Sequence, residues 1–164
     1  PGSAMLDGGL SAWFSDGGEL SIETPFIEPG AVSINVQSDL LALMPEILEG
    51  LSESPAGVRM LDTRSDMEHQ IGTIPTAIHL EWLQHLTATG HFRSKDELRD
   101  LYQSRGMSAQ TTRGVVTYCG GGYRAAHSYL VLKELGFPVV RNYAPSWGEW
   151  GSRGDVPIQR PNRR

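Results

Sequence analysis

The 164-residue chain has a single cysteine, Cys119. An internal disulfide is thereby excluded, and so is any cysteine-rich zinc site. No apolar run approaches the roughly 20 residues needed to span a bilayer, and no basic stretch leads into an apolar core as a signal peptide would. Basic side chains are in the minority, 14 against 19 acidic ones, for a net charge of −5. That sign disfavours a general nucleic-acid binder. His69, His79, His85, His91 and His127 lack metal-ligand spacing with one another or with Cys119. The expectation is therefore no metal, no cofactor, no nucleic acid and no membrane. What remains is an ordinary globular balance, 39% hydrophobic and 20% charged, with 19 Gly and 10 Pro implying many turns. The length suits one well-cored domain.

Strands and helices alternate along the chain. Val32-Ser33-Ile34-Asn35-Val36 reads as a short strand, and Ser38 as the cap of a helix over 38–50 with Leu40, Leu41, Met44, Ile47 and Leu48 on one face. Val58–Asp62 reads as a buried strand, followed by a short helix from Ser65 to Gln70. Thr76–Leu80 is a further extended run. Ser94-Lys95-Asp96-Glu97 is a capping box ahead of Leu98, Leu101 and Tyr102. Gly114–Tyr118 is a strand. A helix over 124–135 follows, with Ala126, Tyr129, Leu130 and Leu135 inward and Gly136 as its stop. Pro138–Asn142 closes the set. Short apolar strands alternating with helices predict an α/β fold, a parallel sheet covered on both faces. Sites in such sheets lie beyond the carboxyl ends of the strands. That rule singles out Asp62-Thr63-Arg64 and Cys119-Gly120-Gly121-Gly122-Tyr123-Arg124.

The second of these carries the chemistry. Three successive glycines let the backbone curl tightly after a strand. Such a curl turns several N–H groups toward one point, and the next helix adds its positive end there. Arg124 adds a full charge. A thiol at this place is expected to ionise below its usual pKa of about 8.5. A buried core cysteine is the bland alternative, but packing gives no reason for a thiol opening a Gly-Gly-Gly turn. A phosphate cradle of the Walker type requires a Gly-Lys-Ser/Thr ending that the loop lacks.

Cys119-Gly-Gly-Gly122-Tyr-Arg124-Ala-Ala resembles the Cys-x-x-Gly-x-Arg active-site loop of the rhodanese sulfurtransferases. Leu61-Asp62-Thr63-Arg64 is similar to the Asp-x-Arg strand end of that family. Gly72-Thr-Ile-Pro75-Thr-Ala77-Ile78 is similar to its Gly-His-Ile-Pro-Gly-Ala-Ile stretch, departing at Thr73 and Thr76. Leu135-Gly136-Phe-Pro-Val-Val and Ser146-Trp147-Gly148-Glu149-Trp150 resemble its closing segment. The resemblance implies a rhodanese-like five-stranded parallel sheet with helices on both faces. It also implies that Cys119 takes sulfane sulfur from a small anionic donor, becomes a persulfide, and passes the sulfur to cyanide or a thiol. Thiosulfate is favoured over 3-mercaptopyruvate because the loop ends in Arg, not in a Ser-Gly-Val-Thr sequence.

On this reading Cys119 is the nucleophile, and the amides from Gly120 through Gly121, Gly122 and Tyr123 to Arg124 hold the persulfide. Arg64 either binds the anionic end of the donor or forms a structural ion pair with Asp62. Asp62 supports the loop or Arg64 and is not a base. Trp147 and Trp150 either wall the pocket or pack on the core. Two other classes compete. Cysteine-loop phosphatases and arsenate reductases use Cys-x5-Arg, a wider ring than the Cys-x4-Arg here. A sulfur-carrier or sulfide-sensing module would share the persulfide without turnover.

Met5-Leu6-Asp7-Gly8-Gly9-Leu10-Ser11-Ala12-Trp13 loosely repeats the closing segment around Trp150. The expected organisation is a vector-derived scar over 1–4, the end of a preceding rhodanese domain over 5–18, a linker over 19–31, a rhodanese domain over 32–155 and a flexible tail over 156–164. A local extension with chance similarity is the alternative. On the tandem reading the missing N-terminal rhodanese domain is a partner, and the location expected is cytoplasmic.

Overall fold

The computed structural model describes residues 4–31, 33–52 and 58–161. Four strands, β1 (Val58–Asp62), β2 (Ile78–His79), β3 (Gly114–Tyr118) and β4 (Val140–Asn142), form one parallel sheet in the order β2-β1-β3-β4. The helices are α1 (Gly9–Ser15), α2 (Met44–Ser52), α3 (Asp66–Ile71), α4 (Lys95–Gln103), α5 (Tyr123–Glu134) and α6 (Ser146–Trp150). The α/β architecture with a parallel sheet read from the sequence is the one present. None of the helices is long and apolar enough to cross a membrane, among the described residues.

Alternation along the central strands separates two cores. Leu61, Val115 and Val140 face a cluster built with Leu98 and Tyr102 of α4 and Val131 and Leu132 of α5. Met60, Val116 and Tyr118 face the opposite cluster, with Met44 and Ile47 of α2 and Trp150 of α6. Strand β3 is buried along its whole length, as expected for a strand covered on both sides. In the β1–β3 register Asp62 lies opposite Tyr118. The two strands therefore end level, and Thr63-Arg64 and the cysteine loop emerge side by side.

Four sequence expectations are corrected. No strand forms over 33–36: these residues make no sheet pairing, and Ile34 is 86% exposed. Val32 lies outside the described residues. The edge of β4 is instead met by a single parallel bridge, Leu41 to Asn142, and the sheet has four strands among the described residues. The helix expected over 38–50 is split into a 3-10 turn, Ser38–Leu40, and α2. Pro45 explains the break, because a proline inside a longer helix would clash with the carbonyl four residues earlier. Along α5, Ala125, Ser128, Val131 and Leu132 are buried; Leu135 and Tyr129 join the same core as expected, whereas Leu130 is exposed. Finally, residues 156–159 of the expected flexible tail are docked, while residues 162–164 of it lie outside the described residues. Thr73 and Gln159 exchange backbone hydrogen bonds of 2.8 and 2.9 Å, Trp150 Nε1 donates to the Pro157 carbonyl at 2.9 Å, and Ile158 packs on the core beside Trp150.

Candidate active site

Cys119 follows the last residue of β3, and α5 begins four residues later. The loop between them has its carbonyl groups tied outward. Trp147 N–H donates to the Cys119 carbonyl at 2.9 Å, and Gly148 N–H donates to that of Gly120 at 2.8 Å. Asn142 Nδ2 lies 3.4 Å from the Gly122 carbonyl. Because each peptide unit is planar, fixing the Gly120 carbonyl outward turns the Gly121 N–H toward the Cys119 sulfur. The sulfur also accepts from Gly122 N–H at 3.1 Å. Gly122 has φ of +88°, and a Cβ there would stand 2.6 Å from the Ala144 carbonyl oxygen, so both conformation and space require glycine.

Burial pushes the Cys119 thiol up, since a thiolate is costly away from water. The N–H groups of Ala125, Gly121, Gly122 and Arg124 outweigh that cost, and the net direction is down. The cysteine is only 2% exposed, sitting at the floor of its own loop. The amides at the sulfur include that of Ala125, beyond the stretch from Gly120 to Arg124 expected from the sequence.

Ser146, not singled out in the sequence, supports the nest from below. Its Oγ accepts the Cys119 N–H at 3.1 Å and donates to the Tyr143 carbonyl at 2.7 Å. It is fully buried and sits at φ of +56°, a region that costs a residue with a Cβ on the order of 1–2 kcal/mol. The only sequence signal was its position ahead of Trp147-Gly148, whose amides hold the loop carbonyls.

Arg124 turns its guanidinium to Glu68, Nη1 to Oε2 at 2.7 Å and Nη2 to Oε1 at 2.8 Å. This bidentate pair ties the start of α5 to α3. Arg124 holds Glu68 down to a pKa of about 2, and Glu68 in turn raises that of Arg124, with Cys119 adding to the effect. Tyr123 is 90% exposed.

Arg64 is buried in an ion pair with Asp62. It is 1% exposed, with Nε and Nη2 on the two Asp62 oxygens at 2.9 and 2.6 Å, and Nη2 also on the Gly72 carbonyl at 2.6 Å. Its guanidinium carbon lies 4.3 Å from the Trp147 ring centroid. Trp147 thus covers Arg64 and packs against the core, and Trp150 is fully buried. Asp62 also accepts from Thr73 Oγ1 at 3.0 Å and from His69 Nδ1 at 3.0 Å. Burial works against its charge, but Arg64 and His69 prevail and its pKa is lowered. Ile74 N–H donates to Tyr118 Oη at 3.1 Å. The Tyr118 hydroxyl lies 2.6 Å from Thr73 Oγ1, which leads on to Asp62. The Asp62–Arg64 strand end is therefore a buried polar brace beneath the residue that precedes Cys119.

Among the described residues, no group of three or more His, Cys, Asp or Glu side chains could hold a metal ion. The sequence profile of the Rhodanese-like domain matches residues 44–153. The sulfur carrier protein of Thermus thermophilus is 31% identical over 94% of this chain and 60% of its own length. The thiosulfate sulfurtransferase of Corynebacterium glutamicum is 33% identical over 94% of this chain and 56% of its own. The chain thus spans somewhat over half the length of these curated relatives. Among solved structures, the anaerobic ergothioneine biosynthesis enzyme of Chlorobium limicola superposes with a TM-score of 0.81, at 20% identity, over 96% of this chain and 41% of that one. At that identity the likeness concerns the fold. The profile match runs from α2 through the cysteine loop and past α6, over the elements that build the nest, and the chain belongs to the Rhodanese-like domain family.

Proposed function

We propose that this chain is a sulfurtransferase that moves sulfane sulfur from an anionic donor, thiosulfate foremost, to cyanide or a thiol through a persulfide on Cys119. The observation that carries the reading is the set of N–H groups converging on the Cys119 sulfur. In the first step the thiolate gives an electron pair to the outer sulfur of thiosulfate. A sulfur–sulfur bond forms to Cys119, the donor's own sulfur–sulfur bond breaks, and sulfite leaves with that bond's electrons. No proton moves, so no general base is needed. The persulfide's terminal sulfur carries the negative charge, which the loop amides stabilise as an oxyanion hole does. The acceptor then attacks that sulfur, leaves as thiocyanate or a new persulfide, and returns the thiolate.

The relatives named thiosulfate sulfurtransferase support the choice of donor, and the relative named as a sulfur carrier supports the persulfide itself. The repeat around Trp13 and the partial coverage of the relatives support a tandem protein in which this is the second domain. A reducing compartment such as the cytoplasm is where a lone thiol stays reduced. The test is intact-mass spectrometry after incubation with thiosulfate. The protein is expected to gain one sulfur atom, cyanide to remove it, and Cys119→Ser to abolish the gain. A folded protein that gains no sulfur from thiosulfate would overturn the reading. Loading without turnover would assign it to the carrier class.

A further inference from the structure

One charged side chain at the loop has no part in the sulfur chemistry described. Glu68 stands in the first turn of α3, on a different element from the cysteine. Its Oε2 accepts from Ser65 N–H at 3.1 Å and Ser65 Oγ at 2.8 Å, closing a capping box. The box needs nothing more, yet the same carboxylate also takes both Nη atoms of Arg124. A two-oxygen grip on a guanidinium is the geometry in which arginine would otherwise receive an oxyanion. The pair is partly open, the Arg124 and Glu68 side chains being 32% and 39% exposed, so a donor entering the loop meets both members. Arg64, the neighbouring guanidinium, is already offset by Asp62. Each of these two cations is therefore matched by its own carboxylate before any substrate arrives.

We propose that Glu68 is a specificity-determining residue: by holding Arg124 in a two-oxygen ion pair, it withdraws positive charge from the mouth of the cysteine loop and disfavours doubly charged sulfur donors relative to singly charged ones. The proposal rests on the sulfurtransferase reading above. Its physical content is simple. The amide nest accommodates one negative charge on one sulfur, and the approaching donor adds its own. Coulomb energy is linear in the donor's charge, so a dianion feels the Glu68 carboxylate about twice as strongly as a monoanion.

The experiment compares thiosulfate, a dianion, with methanethiosulfonate, a monoanion that offers a sulfane sulfur on a similar sulfonyl centre. Glu68→Gln keeps the capping box, since glutamine serves there as well, and removes the charge together with one of the two acceptors that face Arg124. It is expected to lower KM by about tenfold for thiosulfate and about threefold for methanethiosulfonate, the larger factor being roughly the square of the smaller. The kcat values stay close to those of the unaltered protein. The gain shrinks toward 1 M salt, where the screening length is about 3 Å. Glu68→Asp, which retains the charge, is expected to behave like the unaltered protein toward both donors. Equal changes for the two donors would overturn the proposal. So would a raised KM with a fall in kcat in a folded variant, which would make Glu68 a scaffold for Arg124 and nothing more. If Glu68→Gln fails to fold by circular dichroism, Glu68→Ala must show the same donor dependence or the proposal fails. An unaltered protein that takes sulfur from neither donor would remove the sulfurtransferase reading, whereas loading by both with no charge dependence would remove only this one.

Discussion

Gly122 makes two demands on its position that no other residue meets. The backbone is left-handed, and the Ala144 carbonyl stands where a Cβ would go. Gly122→Ala is therefore expected to cost about 1–3 kcal/mol of stability. It is also expected to shift the pH midpoint of Cys119 alkylation upward, because the displaced N–H no longer reaches the sulfur. Urea denaturation and the pH profile of iodoacetamide labelling check the two effects separately. Thr76 presents the opposite case. It is exposed, with φ of +64°, and its backbone N–H donates to Gln159 Oε1 at 2.9 Å. Thr76→Gly keeps that bond and relieves the strain, so a gain of about 0.5–1 kcal/mol in urea is expected, with sulfur transfer unchanged. A loss of stability would show that the strain argument is wrong there. At this scale Cys119, its glycines and Arg124 were legible, because a thiol between a strand and a Gly-Gly-Gly turn has no packing rationale. Ser146 was not, since its importance comes from a contact 27 positions away along the chain.

The 3-10 turn Trp82–His85 shows how an element can make stability depend on pH. It presses His85 between α4 and α5, where His85 Nε2 lies 3.0 Å from Tyr102 Oη and the ring stacks 5.6 Å from Tyr102 and 5.7 Å from His127. His85 is fully buried, and burial, aided by His127, lowers its pKa from 6.5 to about 3. A histidine whose folded pKa is depressed is buried neutral, so below pH 6.5 the unfolded chain binds a proton that the folded chain refuses. Its stabilising contribution is full above about pH 6.5 and is lost as pH falls toward 3. In that window the unfolding free energy is expected to fall by up to about 1.4 kcal/mol per pH unit. Glu68 adds a second decline below its ordinary value of 4.5, because it too is depressed, to about 2, by Arg124. Urea midpoints measured from pH 8 to 4 check the sign. A flat profile between pH 6.5 and 5 would contradict the buried-neutral state of His85. The sequence showed α4 and its capping box but not this arrangement, because periodicity marks which residues are inward and not which inward residues meet. The same limit explains why Leu130 of α5 was expected inward and Ser128 was not. The rotation of α5 is set at its start, where Ala125 N–H faces the sulfur and Arg124 faces Glu68, and it places the polar Ser128 inside.

Across the whole molecule the sheet was readable because β3 is a short apolar run buried along its length and β1 ends in a buried stretch, Met60-Leu61-Asp62. The strand expected at 32–36 has the same local character as these, yet residues 33–36 make no pairing, which shows that β propensity without a neighbouring edge does not make a strand. The reverse error occurs at the other end. Val156-Pro157-Ile158-Gln159 has too few apolar residues and too much proline to announce structure, but tertiary contacts fix it. Gln159 bonds to Thr73, and Thr73 is the residue whose hydroxyl links Tyr118 to Asp62 beneath the cysteine loop. The tail thus braces the polar network from outside. If the domain were complete at Asp155, ending the chain there would cost nothing. The docked tail predicts otherwise: loss of two backbone bonds, the Trp150 indole partner and the Ile158 contact is expected to cost about 2–4 kcal/mol. Urea unfolding of the chain stopped after Asp155 measures this, with the slope of the transition near that of the full chain. Unchanged midpoints would mean that residues 156–161 rest on the surface without holding it.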